Sequence, residues 1–176
     1  LAAVLSLAAC GSKNNDSKDT GNEAGMEKSA MKGVQQMQAS TMSDTLKWRG
    51  SIYTYSISRT PDMSRPIVTD EQGRRFADNR IEVALYRNGD ADTVFKSTFY
   101  KSSFESYLTS DFRKGGVLEG LVFDKVTPAG VQFAVSICFP QSDLYIPLLV
   151  IVSADGKVSI QKDSTMDADS PDDMGD

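Results

Sequence analysis

Acid–base chemistry in this chain falls to carboxylates, because its 176 residues include no histidine. That absence removes His-based triads, His metal ligands and the commonest general base together. Glu119 shares parity with Val117 and Leu121 on an apolar run and is the carboxylate placed to point inward, whereas Glu82 alternates with Ile81 and Val83. A glycosidase-like reaction needs a second carboxyl group about 5–9 Å away in a cleft. A single strand Glu reads more simply as a rim residue in solvent. Cys138 needs a neighbouring base to act as a nucleophile, and without one it reads as a buried structural thiol.

The remaining chemistry-bearing patterns are sparse. Asn88-Gly89-Asp90-Ala91-Asp92 has the look of a calcium loop, but Thr93 and Phe99 occupy the sixth and twelfth positions, where Gly and Glu belong. A hairpin turn explains it better. Ser110 to Lys114 does not make a Ser-x-x-Lys signature, no glycine-rich phosphate loop is present, and no cofactor or metal is implied. For binding, Trp48, Tyr53 and Tyr55 are candidates to stack on a sugar or an apolar molecule, with burial in a core as the simpler alternative. The long polar connection Thr60 to Asn79, which carries Arg74 and Arg75, is the candidate dock for an anionic or protein ligand.

These residues must be positioned by β-structure. All fifteen aromatic residues lie between Trp48 and Tyr145, which sets the folded unit at 46–162. Ile81 to Leu85 and Phe95 to Phe99 alternate around Asn88-Gly89, a hairpin signal. Val117 to Phe123 and Val131 to Phe139 alternate as well, and Leu144 to Val152 is followed by Ala154-Asp155-Gly156 and a resumed alternation at Val158 and Ile160. Pro147 pushes the start of that strand towards an edge. Leu46 to Ser58 switches face, which predicts a bulge near residue 52. Ser102 and Glu105 form a capping box for a helix of about ten residues through Phe104, Leu108 and Phe112, closed by Gly115. The expectation is a mainly β domain: an antiparallel sheet of six or seven strands, curled into an open barrel or a sandwich, with one short α-helix.

The flanks read differently. Residues 10–45 form a tether, in which a loose amphipathic helix over 26–42 competes with a solvated linker. Residues 163–176 hold six Asp and no Lys or Arg, an acidic tail that reads as disordered. With that tail at −6 and the whole chain at −5, the rest sums to +1. Such a balance offers no basic nucleic-acid footprint. Residues 1–9, LAAVLSLAA, are too short to span a bilayer but suit the apolar core of a secretion signal.

Leu7-Ala8-Ala9-Cys10 resembles a bacterial lipobox, in which the signal is cut before Cys and that Cys is acylated. The resemblance implies that Cys10 carries acyl chains as a membrane anchor, and the polar run after it is the tether. Gly11, in place of the Asp that resembles an inner-membrane retention signal, favours the outer membrane. With Cys10 so committed, Cys138 has no partner for an intramolecular disulfide. Asp44-Thr45-Leu46, Asp92-Thr93-Val94 and Asp163-Ser164-Thr165 resemble O-glycosylation acceptors of exported proteins in some gut anaerobes. The whole is similar to small lipoproteins of unknown function from gut Gram-negative bacteria. That resemblance implies a lipid-anchored envelope protein whose β-domain binds a partner protein or small ligand. The alternatives are a carboxylate-dependent hydrolase and a structural subunit of an envelope assembly.

Overall fold

The computed structural model describes residues 33–88 and 93–165. Cys10 and the lipobox, most of the expected tether, the expected turn residues 89–92 and the expected tail from 166 lie outside the described residues. Among the described residues, eleven strands follow in chain order. The first five are β1 (Val34–Gln35), β2 (Ser40–Trp48), β3 (Ser51–Pro61), β4 (Val68–Thr69) and β5 (Arg75–Phe76). Then come β6 (Asn79–Arg87), β7 (Thr93–Phe99), β8 (Val117–Val126), β9 (Val131–Cys138), β10 (Tyr145–Val152) and β11 (Val158–Lys162).

Eight of these strands form two antiparallel sheets of four, ordered β2-β3-β6-β7 and β11-β10-β9-β8. The mainly β expectation therefore holds, as a pair of open sheets compatible with a sandwich and not as a closed barrel. A third, small sheet β1-β5-β4 sits beside them, and its β1–β5 pair is parallel.

Alternation dictates the packing. Tyr53, Tyr55 and Ile57 on β3, Ile81, Val83 and Leu85 on β6, Val131 to Ile137 on β9 and Leu148 to Val152 on β10 turn every second side chain into one shared core. Ring contacts join the two sheets through that core: Tyr55 lies 5.1 Å from Phe123 and 6.2 Å from Phe133, centroid to centroid. Both expected hairpins form, β6–β7 and β10–β11, and Pro147 stands just before the point where the β11 ladder begins at Leu148.

Three expectations are corrected. The face switch near residue 52 is a two-residue turn between two strands, not a bulge. Trp48 pairs with Ser51, and Arg49 and Gly50 both take positive φ, +48° and +74°, the geometry of a tight hairpin. The turn places Leu46 opposite Tyr53, so both are buried on one face. The folded unit also begins well before Leu46, since β2 starts at Ser40 and pairs along its full length with β3. Its outward positions are polar and exposed, which is why composition alone assigns them to the tether and why no helix runs to residue 42.

Finally, the expected single helix is two short pieces. A 3₁₀ turn spans Lys101–Tyr107, Leu108 is extended, and Thr109 caps α1 (Ser110–Gly115) by accepting from the Phe112 amide. The break lets Phe104 and Leu108 enter the core while Phe112 turns to the Phe139 ring, 4.2 Å away.

Candidate functional site

A polar seam joins the two large sheets at the start of β6. Asp78 is buried, and its Oδ1 accepts from the amides of Asn79 and Leu118, each at 2.8 Å. Asn79 Nδ2 donates to Leu118 O at 2.9 Å and contacts Met37 Sδ at 3.3 Å. Its fully buried Oδ1 has no hydrogen-bond partner. The Asp78 carboxylate also faces Lys101 Nζ at 3.8 Å, and that ammonium donates to Gly116 O at 2.6 Å. Burial pulls the Lys101 ammonium below the ordinary lysine range, and Asp78 works against that pull.

Above this floor opens a groove of about 530 Å³. One wall is the Arg65–Val68 segment, and the other is the 3₁₀ turn with Leu108 and α1. The Arg65 guanidinium lies over the Tyr100 ring at 3.9 Å from its centroid. Arg65 Nε faces Asp62 Oδ2 at 3.6 Å. Asp62 is itself fixed by Ser64, whose amide and hydroxyl donate at 3.0 and 2.6 Å. Those hydroxyl and amide donations, with Arg65 and Arg80 nearby, hold Asp62 below the usual carboxylate range against the opposing effect of burial. Arg113 Nε donates to Glu105 O at the rim. Four cations, Arg65, Lys101, Arg113 and Lys114, thus stand against the carboxylates of Asp78 and Glu105, and Pro66, Ile67 and Leu108 supply apolar wall. The arrangement suits recognition of an anion with an apolar body.

The residues singled out in the sequence are scattered. Trp48, Tyr53 and Tyr55 are 4%, 7% and 5% exposed, with Trp48 and Tyr53 packed ring to ring at 5.3 Å. They are core residues, and no ring face is left for a ligand. Arg74 is exposed, ion-paired to Asp70 at 2.6 Å and hydrogen-bonded to Gln141. It lines a different cavity of about 620 Å³, alongside Lys114, Phe139 and Leu144. Arg75 lies on β5, half-buried and with interaction partners of its own.

Glu119 is half-buried, accepts weakly from Ser136 Oγ at 3.4 Å, and neighbours Cys138 beside a third cavity of about 210 Å³. Burial, then Glu119, pushes the Cys138 thiol up to about 12, so it stays protonated. Thr45, Thr93 and Ser164 are all exposed, but Thr45 belongs to β2 and not to a flanking linker. Asp163, placed at the head of the acidic tail, is buried and accepts from Thr165. Among the described residues no cluster of three potential metal ligands occurs.

The groove residues were not legible as a set. Arg65 and Asp78 come from the polar Thr60–Asn79 connection, whose length was the one local signal, while Lys101 and Arg113 come from the 3₁₀ turn and α1. A family model described as a domain of unknown function, DUF4738, matches residues 19–160. No curated protein matches the chain.

Proposed function

From the premise that the chain belongs to the DUF4738 family, a domain of unknown function, we propose that it is a lipid-anchored envelope protein whose β-domain is a non-catalytic binding module. The observation that carries the binding role is the groove between Arg65–Val68 and the 3₁₀ turn, where a ring-stacked guanidinium and apolar wall share about 530 Å³. The anchor rests on Leu7-Ala8-Ala9-Cys10. Two groups that an enzyme would use are committed to the fold: Asp78 Oδ1 accepts from two amides while its Oδ2 faces Lys101, and Cys138 is held as a thiol.

Two variants of the full chain test the two parts. Cys10→Ser is expected to leave the membrane fraction with its β-domain folded; a variant that stays membrane-bound defeats the anchor. Co-purification from solubilised envelopes, followed by mass spectrometry for protein and small-molecule companions, tests the module. The expected result is a stoichiometric companion that Arg113→Glu loses. A companion retained by that variant, or none at all, counts against the groove.

A further inference from the structure

We infer that the groove takes an amphiphilic carboxylate, a small monoanion whose carboxylate lies against Arg65 and whose apolar body follows Pro66, Ile67 and Leu108. This rests on the binding-module reading and names its ligand class. Lys101, though cationic, is not the receptor: its ammonium is committed to Asp78 and to Gly116 O. Arg65 differs. Among the described residues its side chain meets the Tyr100 ring and, through Nε, Asp62, and it is 40% exposed. The ring and Asp62 hold the guanidinium plane in one orientation, which leaves its terminal nitrogens to meet a carboxylate as a fork.

Charge selects the sign of the ligand. Arg113 and Lys114 at the rim reinforce Arg65 and outnumber the one rim carboxylate, Glu105, while the buried Asp78 is neutralised in place by Lys101. A positive groove on a chain of net charge −5 favours anions locally against the overall field. A single free fork suits one carboxylate, and the neighbouring apolar side chains require a body longer than the head group.

The test is calorimetric titration of the full chain with sodium octanoate, in parallel with acetate, which lacks the apolar body, and octan-1-ol, which lacks the charge. Octanoate is expected to bind at least about tenfold more tightly than either, and Arg65→Gln to weaken it by about tenfold or more. Arg65→Lys, which keeps the charge and loses the fork, is expected to fall between. Thermal melts establish that each variant is folded; should Arg65→Gln unfold, Arg113→Gln and a salt titration replace it, both expected to weaken octanoate. No octanoate binding, equal binding of octan-1-ol, or an octanoate affinity indifferent to these substitutions overturns the inference. Should octanoate fail while an envelope companion is still lost from Arg113→Glu, the module stands and only the ligand class falls.

Discussion

Individual side chains here divide into those that fasten the fold and those left free at its surface, and Asp78 is the clearest of the first kind. Replacing it by Ala strands the Lys101 ammonium and two buried amides, so Asp78→Ala is expected to cost about 3–5 kcal/mol in a urea melt. Asp62 governs part of the acid limb. Its folded form binds a proton more weakly than the unfolded chain does, so its contribution is complete above its ordinary value of 3.8 and is lost as pH falls through the lower folded value. Asp62→Asn is expected to flatten melting temperature against pH in that window. Cys138, with its thiol pushed up to about 12, is expected to resist iodoacetamide at pH 8 in the native protein and to react once denatured. The Asp62–Ser64 tie is local, but the others are hidden in sequence because their partners are distant: Asp78 meets the amide of Leu118 forty positions on, and Glu119 approaches Cys138 only across a strand pair.

Elements were legible where hydrophobic period and turn chemistry agree. The β6–β7 and β10–β11 hairpins carry Asn-Gly and Asp-Gly signals between alternating runs, and both form. The β2–β3 hairpin was hidden because Arg49-Gly50 is an uncommon pair for that turn, and because β2 is an edge strand whose outer side is polar. At φ +74°, Gly50 has open space for a methyl group but the wrong backbone for one, so Gly50→Ala is expected to cost about 1–2 kcal/mol in thermal unfolding. Asp44 and Lys47 on the edge strand β2 discourage pairing with another chain there. The break between the 3₁₀ turn and α1 was hidden for a different reason. Phe104, Leu108 and Phe112 have helical spacing, yet Phe104 and Leu108 are buried in the main core while Phe112 packs at its margin against the Phe139 ring, and Leu108 is extended between the two helical pieces.

At the scale of the molecule, the 3₁₀ turn joins fold to function. It sends Phe104, with no exposed surface, to stack on Phe99 at 5.8 Å, and its Tyr107 hydroxyl donates to Ile160 O on β11. Its first residue, Lys101, stands in the groove. Phe104→Ala is therefore expected to cost about 3–5 kcal/mol and to lower groove affinity at temperatures where the variant is still folded, measured by melting and by octanoate titration together. The mainly β character was readable because burial of alternate residues is a local pattern, whereas the choice between an open barrel and a sandwich was not. The groove was not, because it exists only once β6, the 3₁₀ turn and α1 have been brought together by the core.

The way the chain enters the domain also sets how it responds to tension. A pull on the segment before Val34 meets the two-residue β1–β5 pairing and the Ala77 amide bonded to Gln35 O, and only afterwards the nine-residue ladder of β2 on β3. The two-residue pairing is expected to yield before the nine-residue ladder when the chain is pulled from its N-terminal side. Met37 lies between these two clamps and touches Asn79 at the groove floor. Load on the N-terminal segment thus reaches the underside of the groove before it reaches the main sheets.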